Sequence, residues 1–238
     1  MRTFETDVQL LKYRVLKAVA KRAYEGTLME SYYEIPKLIS PGPKPTMRCC
    51  VYKERAIVQE RVRLAMGGDR RNPNIIEVIE IACDECPVER YMVSESCRGC
   101  ISQRCIKTCP KQAISKKNGK AHIDFDLCIE CGRCAKVCPY GAITEHVRPC
   151  ERSCKVGAIH MNEEKKAEIN PEKCISCGAC SYACPFGAIM DKSFMVDAIN
   201  IIRNKKENYK TVAIVAPAIA AQFDGVTLGQ VATAIRQL

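Results

Sequence analysis

The spacing of its cysteines constrains this chain more than any other feature of the sequence. Eighteen cysteines occur in 238 residues, and all but Cys49 and Cys50 lie between residues 83 and 184. A chain so rich in cysteine either forms disulfides in an oxidising compartment or binds metal. The N-terminus has no apolar segment followed by a small-residue cleavage site, so no secretory signal is predicted. We therefore expect a cytoplasmic protein whose cysteines bind metal.

Four copies of one cysteine motif follow each other along the chain. Two copies read Cys-x2-Cys-x2-Cys-x3-Cys-Pro, a third has two extra residues in its middle, and the fourth keeps only Cys150-x3-Cys154. The register is confirmed after the last cysteine, where the copies read Pro-Lys-Gln-Ala-Ile, Pro-Tyr-Gly-Ala-Ile, Lys-Val-Gly-Ala-Ile and Pro-Phe-Gly-Ala-Ile. An internal repeat this regular indicates tandem copies of one structural unit.

The complete copies have the spacing of bacterial ferredoxins, in which three cysteines bind one [4Fe-4S] cluster and the fourth binds its neighbour. Applied to this chain, that rule predicts three clusters. Their ligands are Cys97, Cys100, Cys105 and Cys138 for the first; Cys128, Cys131, Cys134 and Cys109 for the second; and Cys174, Cys177, Cys180 and Cys154 for the third. Zinc is disfavoured because zinc sites use separate cysteine pairs rather than complete runs that end in Cys-Pro.

Four cysteines of the repeat region are left over by this assignment: Cys83, Cys86, Cys150 and Cys184. They could hold a fourth [4Fe-4S] cluster, since four ligands is the number that a cluster requires. They could equally pack as small buried hydrophobic side chains. Adjacent Cys49 and Cys50 have two similar interpretations, buried packing or one additional ligand.

The fold class that we predict is α+β. Apolar periodicity indicates helices over residues 5–30 and 52–66. Gly26 ends or interrupts the first, Gly67-Gly68 ends the second, and a stiff proline-rich linker is expected over 36–45. Short strands are expected at 121–125 and 166–169, the first preceded by an Asn118-Gly119 hairpin turn. These elements divide the chain into an N-terminal helical extension (1–80) and a ferredoxin-like domain with several clusters (81–192).

The remaining residues, 193–238, read as a helix and the first βα unit of a truncated α/β domain. A helix is expected over 194–202, a buried strand over 211–216 and a further helix from about Thr227. The last helical pattern runs to Leu238 without a stop signal, so we expect the chain to continue into a further domain.

The formal charge of +10 would ordinarily suggest nucleic acid as a partner. Here each [4Fe-4S] cluster with four thiolates carries a charge of about −2, so bound clusters would balance most of the excess. Tryptophan is absent and aromatic residues make up 6% of the chain, so no nucleic-acid partner is expected. No apolar run reaches the length of a transmembrane helix, so no membrane partner is expected either.

Three stretches that lack the ligands defining catalysis carry a family resemblance. Residues 41–55, 81–87 and 212–223 resemble the N-terminal part of clostridial-type [FeFe]-hydrogenases. The resemblance implies an anaerobic electron-relay portion, with a ferredoxin as redox partner and a missing C-terminal hydrogenase-like domain. The family's catalytic cysteine motifs do not occur in this chain, so no catalytic residue is expected. A redox or oxygen sensor and a cluster scaffold are the alternative functions.

Overall fold

The computed structural model describes residues 4–86, 89–203, 210–223 and 225–237. Pro87, which follows the Cys83–Cys86 pair, and Leu238 lie outside these residues. The helices are α1 Asp7–Glu25, α2 Ile35–Ile39, α3 Val51–Ala65, α4 Arg104–Lys107, α5 Arg133–Val137, α6 Pro149–Ser153, α7 Ala179–Ala183, α8 Met195–Arg203 and α9 Leu228–Gln237. The strands are β1 Ile76–Val78, β2 Tyr91–Val93, β3 Ile114–Lys117, β4 Lys120–Ile123, β5 Ile143–Glu145, β6 Ile159–Met161, β7 Ala167–Ile169 and β8 Ile189–Asp191.

The helical extension follows its sequence signals closely. The Thr6 side chain accepts a hydrogen bond from the Gln9 N–H at the start of α1, and Gly26 ends the helix in a left-handed conformation with φ 77°. Helix α3 ends just before the Gly67-Gly68 pair, as predicted. The linker expected over 36–45 is partly helical, because its first residues belong to α2. Pro36 lies in the first turn of that helix, where a missing N–H costs no helical hydrogen bond.

The N-terminal helices share one hydrophobic core with the second half of the cysteine region. Helix α1 packs against α3 and α8, and α3 packs against β8. Val15, Val19 and Val62 are fully buried in this core, each stabilising it by about 1.5–3 kcal/mol. Cys83, Cys150, Cys180 and Cys184 belong to the same buried cluster. The helical extension therefore covers cysteines rather than standing apart from them.

The eight strands pair as four small antiparallel sheets with a nested order. Strands β3 and β4 form a hairpin whose Asn118-Gly119 turn has φ 47° and 77°, as the sequence predicts for a type I′ turn. This hairpin and the β2–β5 pair make up an inner module. The β6–β7 hairpin and the β1–β8 pair make up an outer module. Because β1 precedes and β6 follows the inner module, the inner module is an insertion within the outer one.

The C-terminal segment departs from its prediction in one element. Residues 211–216, expected as a buried strand, form no strand and are exposed. An apolar β-branched run becomes a strand only when a neighbouring strand supplies hydrogen bonds, and no described residue pairs with it. The expected helices on either side are present as α8 and α9.

None of the helices in the described ranges combines the length and the apolar character that crossing a bilayer requires.

Candidate metal centres

All eighteen cysteines are free thiols in the structure. In the repeat region each of the short helices α4, α5, α6 and α7 carries one cysteine, and the other cysteines lie on the loops between elements. Each loop presents its cysteines toward a space that it shares with a neighbouring loop. The geometry of each predicted ligand set can therefore be followed residue by residue.

The first predicted set surrounds one cavity. Cys97, Cys100, Cys105 and Cys138 all line it, although Cys138 comes from the next repeat. Burial raises the pKa of the Cys105 thiol, and the nearby Cys138 and Cys100 raise it further. Because thiolates are the form that binds metal, a metal entering this cavity would displace protons from the thiols.

The second predicted set surrounds another cavity in the same way. Cys128, Cys131 and Cys134 line it together with Cys109, which comes from the preceding repeat. Burial raises the pKa of Cys134, with smaller contributions from Cys128 and Cys131. The inner module thus contains two four-cysteine cavities that exchange their last cysteine.

The third predicted set is brought together around α6 and α7. Burial raises the pKa of Cys180, and Cys174 and Cys154 lie close enough to raise it further. Cys177 is exposed on the same loop, between Cys174 and Cys180. Cys154 again comes from the preceding repeat, as in the inner module.

The four leftover cysteines also converge. Burial raises the pKa of Cys150 to about 12, and Cys184, Cys83 and Cys86 are its cysteine neighbours. Cys83, Cys150 and Cys184 are each less than a tenth exposed, which makes this fourth set the most enclosed of the four. The sequence left these residues without a motif because the inner module separates Cys86 from Cys150.

Backbone N–H groups donate to sulfur in the same way in every repeat. The alanine four residues after the last cysteine donates to that cysteine's Sγ at 3.1–3.4 Å; the pairs are Ala113–Cys109, Ala142–Cys138, Ala158–Cys154 and Ala188–Cys184. The residue before each alanine has a left-handed backbone, with φ between 50° and 61°. Sequence reasoning missed this role, although the repeated Gly-Ala pair was its signal.

A second N–H···S hydrogen bond relates the fourth set to the first. Ala121 of β4 donates to Cys97 Sγ at 3.3 Å, and Ala167 of β7 donates to Cys83 Sγ at 3.4 Å. Each donor lies in the second strand of its module's hairpin. Cys83 therefore has the position in the outer module that Cys97 has in the inner one. Such N–H···S bonds stabilise thiolate ligands and tune cluster potentials.

The donor sets fit polynuclear clusters better than single metal ions. Among the described residues, no three Cys, His, Asp or Glu side chains form a group that could hold a single ion. The first two sets instead spread four thiols around a cavity. Four separated thiols match a cubane, in which each thiolate binds a different iron.

Cys49 and Cys50 lie apart from these sets. Cys49 is exposed, which is contrary to buried packing for this residue. The Cys50 side chain accepts a hydrogen bond from the Lys53 N–H at 3.4 Å and caps the N-terminus of α3. That N–H and the neighbouring Lys53 charge lower the pKa of Cys50.

Paired four-cysteine loops on antiparallel hairpins define an iron–sulfur protein of the ferredoxin type. Comparison with protein families agrees, since 4Fe-4S binding domains match residues 121–144 and 167–190, and a second such family matches residues 180–208. The chain is 40% identical over 53 residues to the 7Fe ferredoxin of Hydrogenibacillus schlegelii and covers 68% of that protein. The chain therefore belongs to the 4Fe-4S ferredoxin family and is an iron–sulfur electron-transfer protein.

Two longer relatives are also similar to part of this chain. An uncharacterised ferredoxin of Methanocaldococcus jannaschii is 47% identical over 47 residues, and the electron transport protein HydN of Escherichia coli is 41% identical over 61 residues. The matches span 28% and 35% of those proteins and 20% and 26% of this chain. Each similarity therefore leaves most of both chains unmatched.

Proposed function

We propose that this chain is the electron-relay part of an [FeFe]-hydrogenase and that it holds four [4Fe-4S] clusters. The observation that carries the relay is the exchange of the last cysteine between paired loops. Cys138 joins the cavity of Cys97, Cys100 and Cys105, while Cys109 joins the cavity of the following repeat. This exchange makes the two centres of a module neighbours, which is the arrangement that electron transfer between them requires.

The proposed ligands are the four sets described above: Cys97, Cys100, Cys105 and Cys138; Cys109, Cys128, Cys131 and Cys134; Cys154, Cys174, Cys177 and Cys180; and Cys83, Cys86, Cys150 and Cys184. When bound, a [4Fe-4S] cluster supplies one-electron redox chemistry. The protein's own residues would hold the cluster through cysteine thiolates. They would also point backbone N–H groups at the sulfur atoms and limit the access of water. Water is excluded most fully from the outer module, because the helical extension covers it.

The hydrogenase assignment rests on the resemblance of residues 41–55, 81–87 and 212–223. The C-terminal stretch supports it in one further respect. Val212 and Ile214 are 80% and 97% exposed, and neighbouring exposed apolar side chains commonly mark a contact with another protein surface. We propose that these side chains contact the catalytic part of the parent enzyme.

The proposed external partner is a small acidic redox protein such as a ferredoxin. Exposed Arg98, Arg104 and Lys116 line the cavity of the first set. Basic groups around a partly open redox site attract an acidic partner and accelerate its encounter. The first set is therefore the proposed point of exchange with that partner.

The test is anaerobic purification with iron and sulfide analysis, followed by reductive titration monitored by electron paramagnetic resonance. We expect about sixteen irons per chain and reversible one-electron reduction. About twelve irons would remove the fourth cluster from the proposal, and bound zinc without sulfide would refute the relay altogether. Rapid transfer of iron to an acceptor apoprotein would favour a scaffold instead.

The hydrogenase part has a separate test. Sequencing of the gene should reveal the catalytic cysteine motifs in the same reading frame or in an adjacent gene. A genome that encodes no such catalytic domain would refute the hydrogenase assignment and leave the relay intact.

A further inference from the structure

Arg61 and Arg148 are buried arginines near the fourth set of cysteines. Arg61 is 1% exposed and Arg148 is 6% exposed. Neither forms an ion pair with a carboxylate among the described residues. Buried Lys192, by comparison, has its partner in Glu77 at 3.1 Å.

Arg148 contacts a cysteine sulfur, whereas Arg61 contacts the loop that follows Cys184. Arg148 Nη1 donates to Cys83 Sγ at 3.7 Å. Arg61 donates to the Gly187 carbonyl oxygen, three residues after Cys184, and its charge interacts with Cys184 itself. Arg61 Nε is buried and has no hydrogen-bond partner among the described residues.

Among the described residues, the nearby carboxylates Asp84 and Glu85 pair with Lys53 and Arg48, so Arg61 and Arg148 have no anionic partner until the thiols are ionised. Burial lowers the pKa of Arg61 to about 10, with a smaller effect from the neighbouring Arg48, so the guanidinium stays charged at neutral pH. A buried cation without a counter-charge is strongly unfavourable.

We propose that Arg61 and Arg148 are the built-in counter-charges of a [4Fe-4S] cluster on Cys83, Cys86, Cys150 and Cys184, and that they make this set the place where an electron is held most stably. The inference rests on the proposed function, since it requires the fourth cluster. Uptake of one electron from the redox partner makes this enclosed site one unit more negative. Two fixed positive charges beside it favour that change.

Among the described residues, the other three sets have no buried arginine beside them. Their neighbouring cations, among them Arg104, Arg133 and Lys155, are exposed to water. Solvent screens an exposed charge strongly, whereas a buried charge acts at an effective dielectric constant of about 20. At that dielectric constant, a unit charge within about 10 Å changes the reduction equilibrium by about tenfold or more.

The experiment is a reductive titration of the full 238-residue chain with its clusters, in which each centre is followed by electron paramagnetic resonance. Cys86→Ala identifies the signal of the fourth set by its loss. Arg61→Met removes the buried charge, Arg61→Lys retains it, and Arg71→Met is the control at an arginine whose side chain is 92% exposed.

We expect the signal that Cys86→Ala removes to be the first to appear during reduction. Arg61→Met should lower the equilibrium constant for reduction of that centre at least tenfold, which lowers its potential by about 59 mV for a one-electron couple. The potentials of the other three centres should not change. Arg61→Lys and Arg71→Met should behave like the unmodified chain. If Arg61→Met instead loses about four irons that Arg61→Lys retains, the need for charge at this site is equally supported.

Three outcomes would overturn the inference. One is an unshifted potential in Arg61→Met with about sixteen irons bound, which leaves the relay intact. Another is an equal effect of Arg61→Lys and Arg61→Met, which would indicate packing rather than charge. The third is a chain with about twelve irons and no signal sensitive to Cys86→Ala, which removes the fourth cluster as well.

Discussion

Gly132 and Gly178 have the same place in two copies of the motif, directly after the second cysteine, but their surroundings differ. Both begin a short helix with a left-handed backbone, at φ 72° and 78°. A methyl group added at Gly132 would come within 2.4 Å of the Tyr91 hydroxyl oxygen, whereas nothing lies within 4 Å of one added at Gly178. Replacement of each glycine by alanine therefore separates backbone strain from steric overlap.

The expected magnitudes follow from these two contributions. The left-handed backbone costs an alanine about 1–2 kcal/mol at either position. Gly132→Ala must also displace the ring of Tyr91, which is buried against Ile114, Ile123 and Ile143, and such overpacking adds about 1–3 kcal/mol. A lower entropy of the unfolded chain returns about 0.4–1 kcal/mol in both variants. We expect Gly132→Ala to be the more destabilising substitution by about 1–3 kcal/mol.

Native-state hydrogen exchange is the suitable assay, because cluster loss makes global unfolding irreversible. Gly132→Ala should accelerate exchange in β2 and β5, where Tyr91 lies, and should speed loss of visible cluster absorbance in the presence of a chelator. Gly178→Ala should affect mainly the amides around α7. Equal destabilisation by both variants would refute the steric argument, and so would unchanged exchange in β2 of Gly132→Ala.

Three further predictions concern other parts of the chain. Cys154→Ala should lower the iron content from about sixteen to about twelve per chain, because its set loses one ligand; unchanged iron would refute the assignment. Electron exchange with an acidic ferredoxin should slow as salt concentration rises, since screening weakens attraction; a rate independent of salt would contradict it. Burial opposes ionisation of Glu54, but hydrogen bonds from Met47, Ser40 and Thr46 outweigh it and lower its pKa. The resulting stabilisation is present above the ordinary carboxyl pKa and is lost as pH falls through the lowered value, so hydrogen exchange in residues 40–54 should accelerate in acid, and Glu54→Gln should remove this dependence.

Local features of the fold were predictable because they depend on neighbouring residues. Thr6 and Gly26 define the ends of α1 through hydrogen bonds within a few residues of the helix. Asn118 and Gly119 form the predicted hairpin turn because both accept a left-handed backbone. The prediction of a strand at 211–216 was wrong because a strand also requires a partner strand, which the local sequence does not specify.

The same distinction applies to the candidate site. The motif spacing predicted that Cys138 would join Cys97, Cys100 and Cys105, and the structure places the four around one cavity. The motif spacing could not decide whether Cys83 and Cys150 are cluster ligands or buried packing residues, because the inner module lies between them in the sequence. The insertion hides an arrangement that the N–H···S bond from Ala167 to Cys83 makes visible.

The sequence by itself determined the cysteine loops, the hairpin turn and the helix ends, because each depends on chemistry within a few neighbouring positions. Only the tertiary structure decided which distant segments meet. It brought Cys83 and Cys86 to Cys150 and Cys184, covered them with the N-terminal helices, and placed Arg148 at the Cys83 sulfur and Arg61 at the loop that follows Cys184. Burial and charge act through space, so their effect on these thiols follows from packing and not from order along the chain.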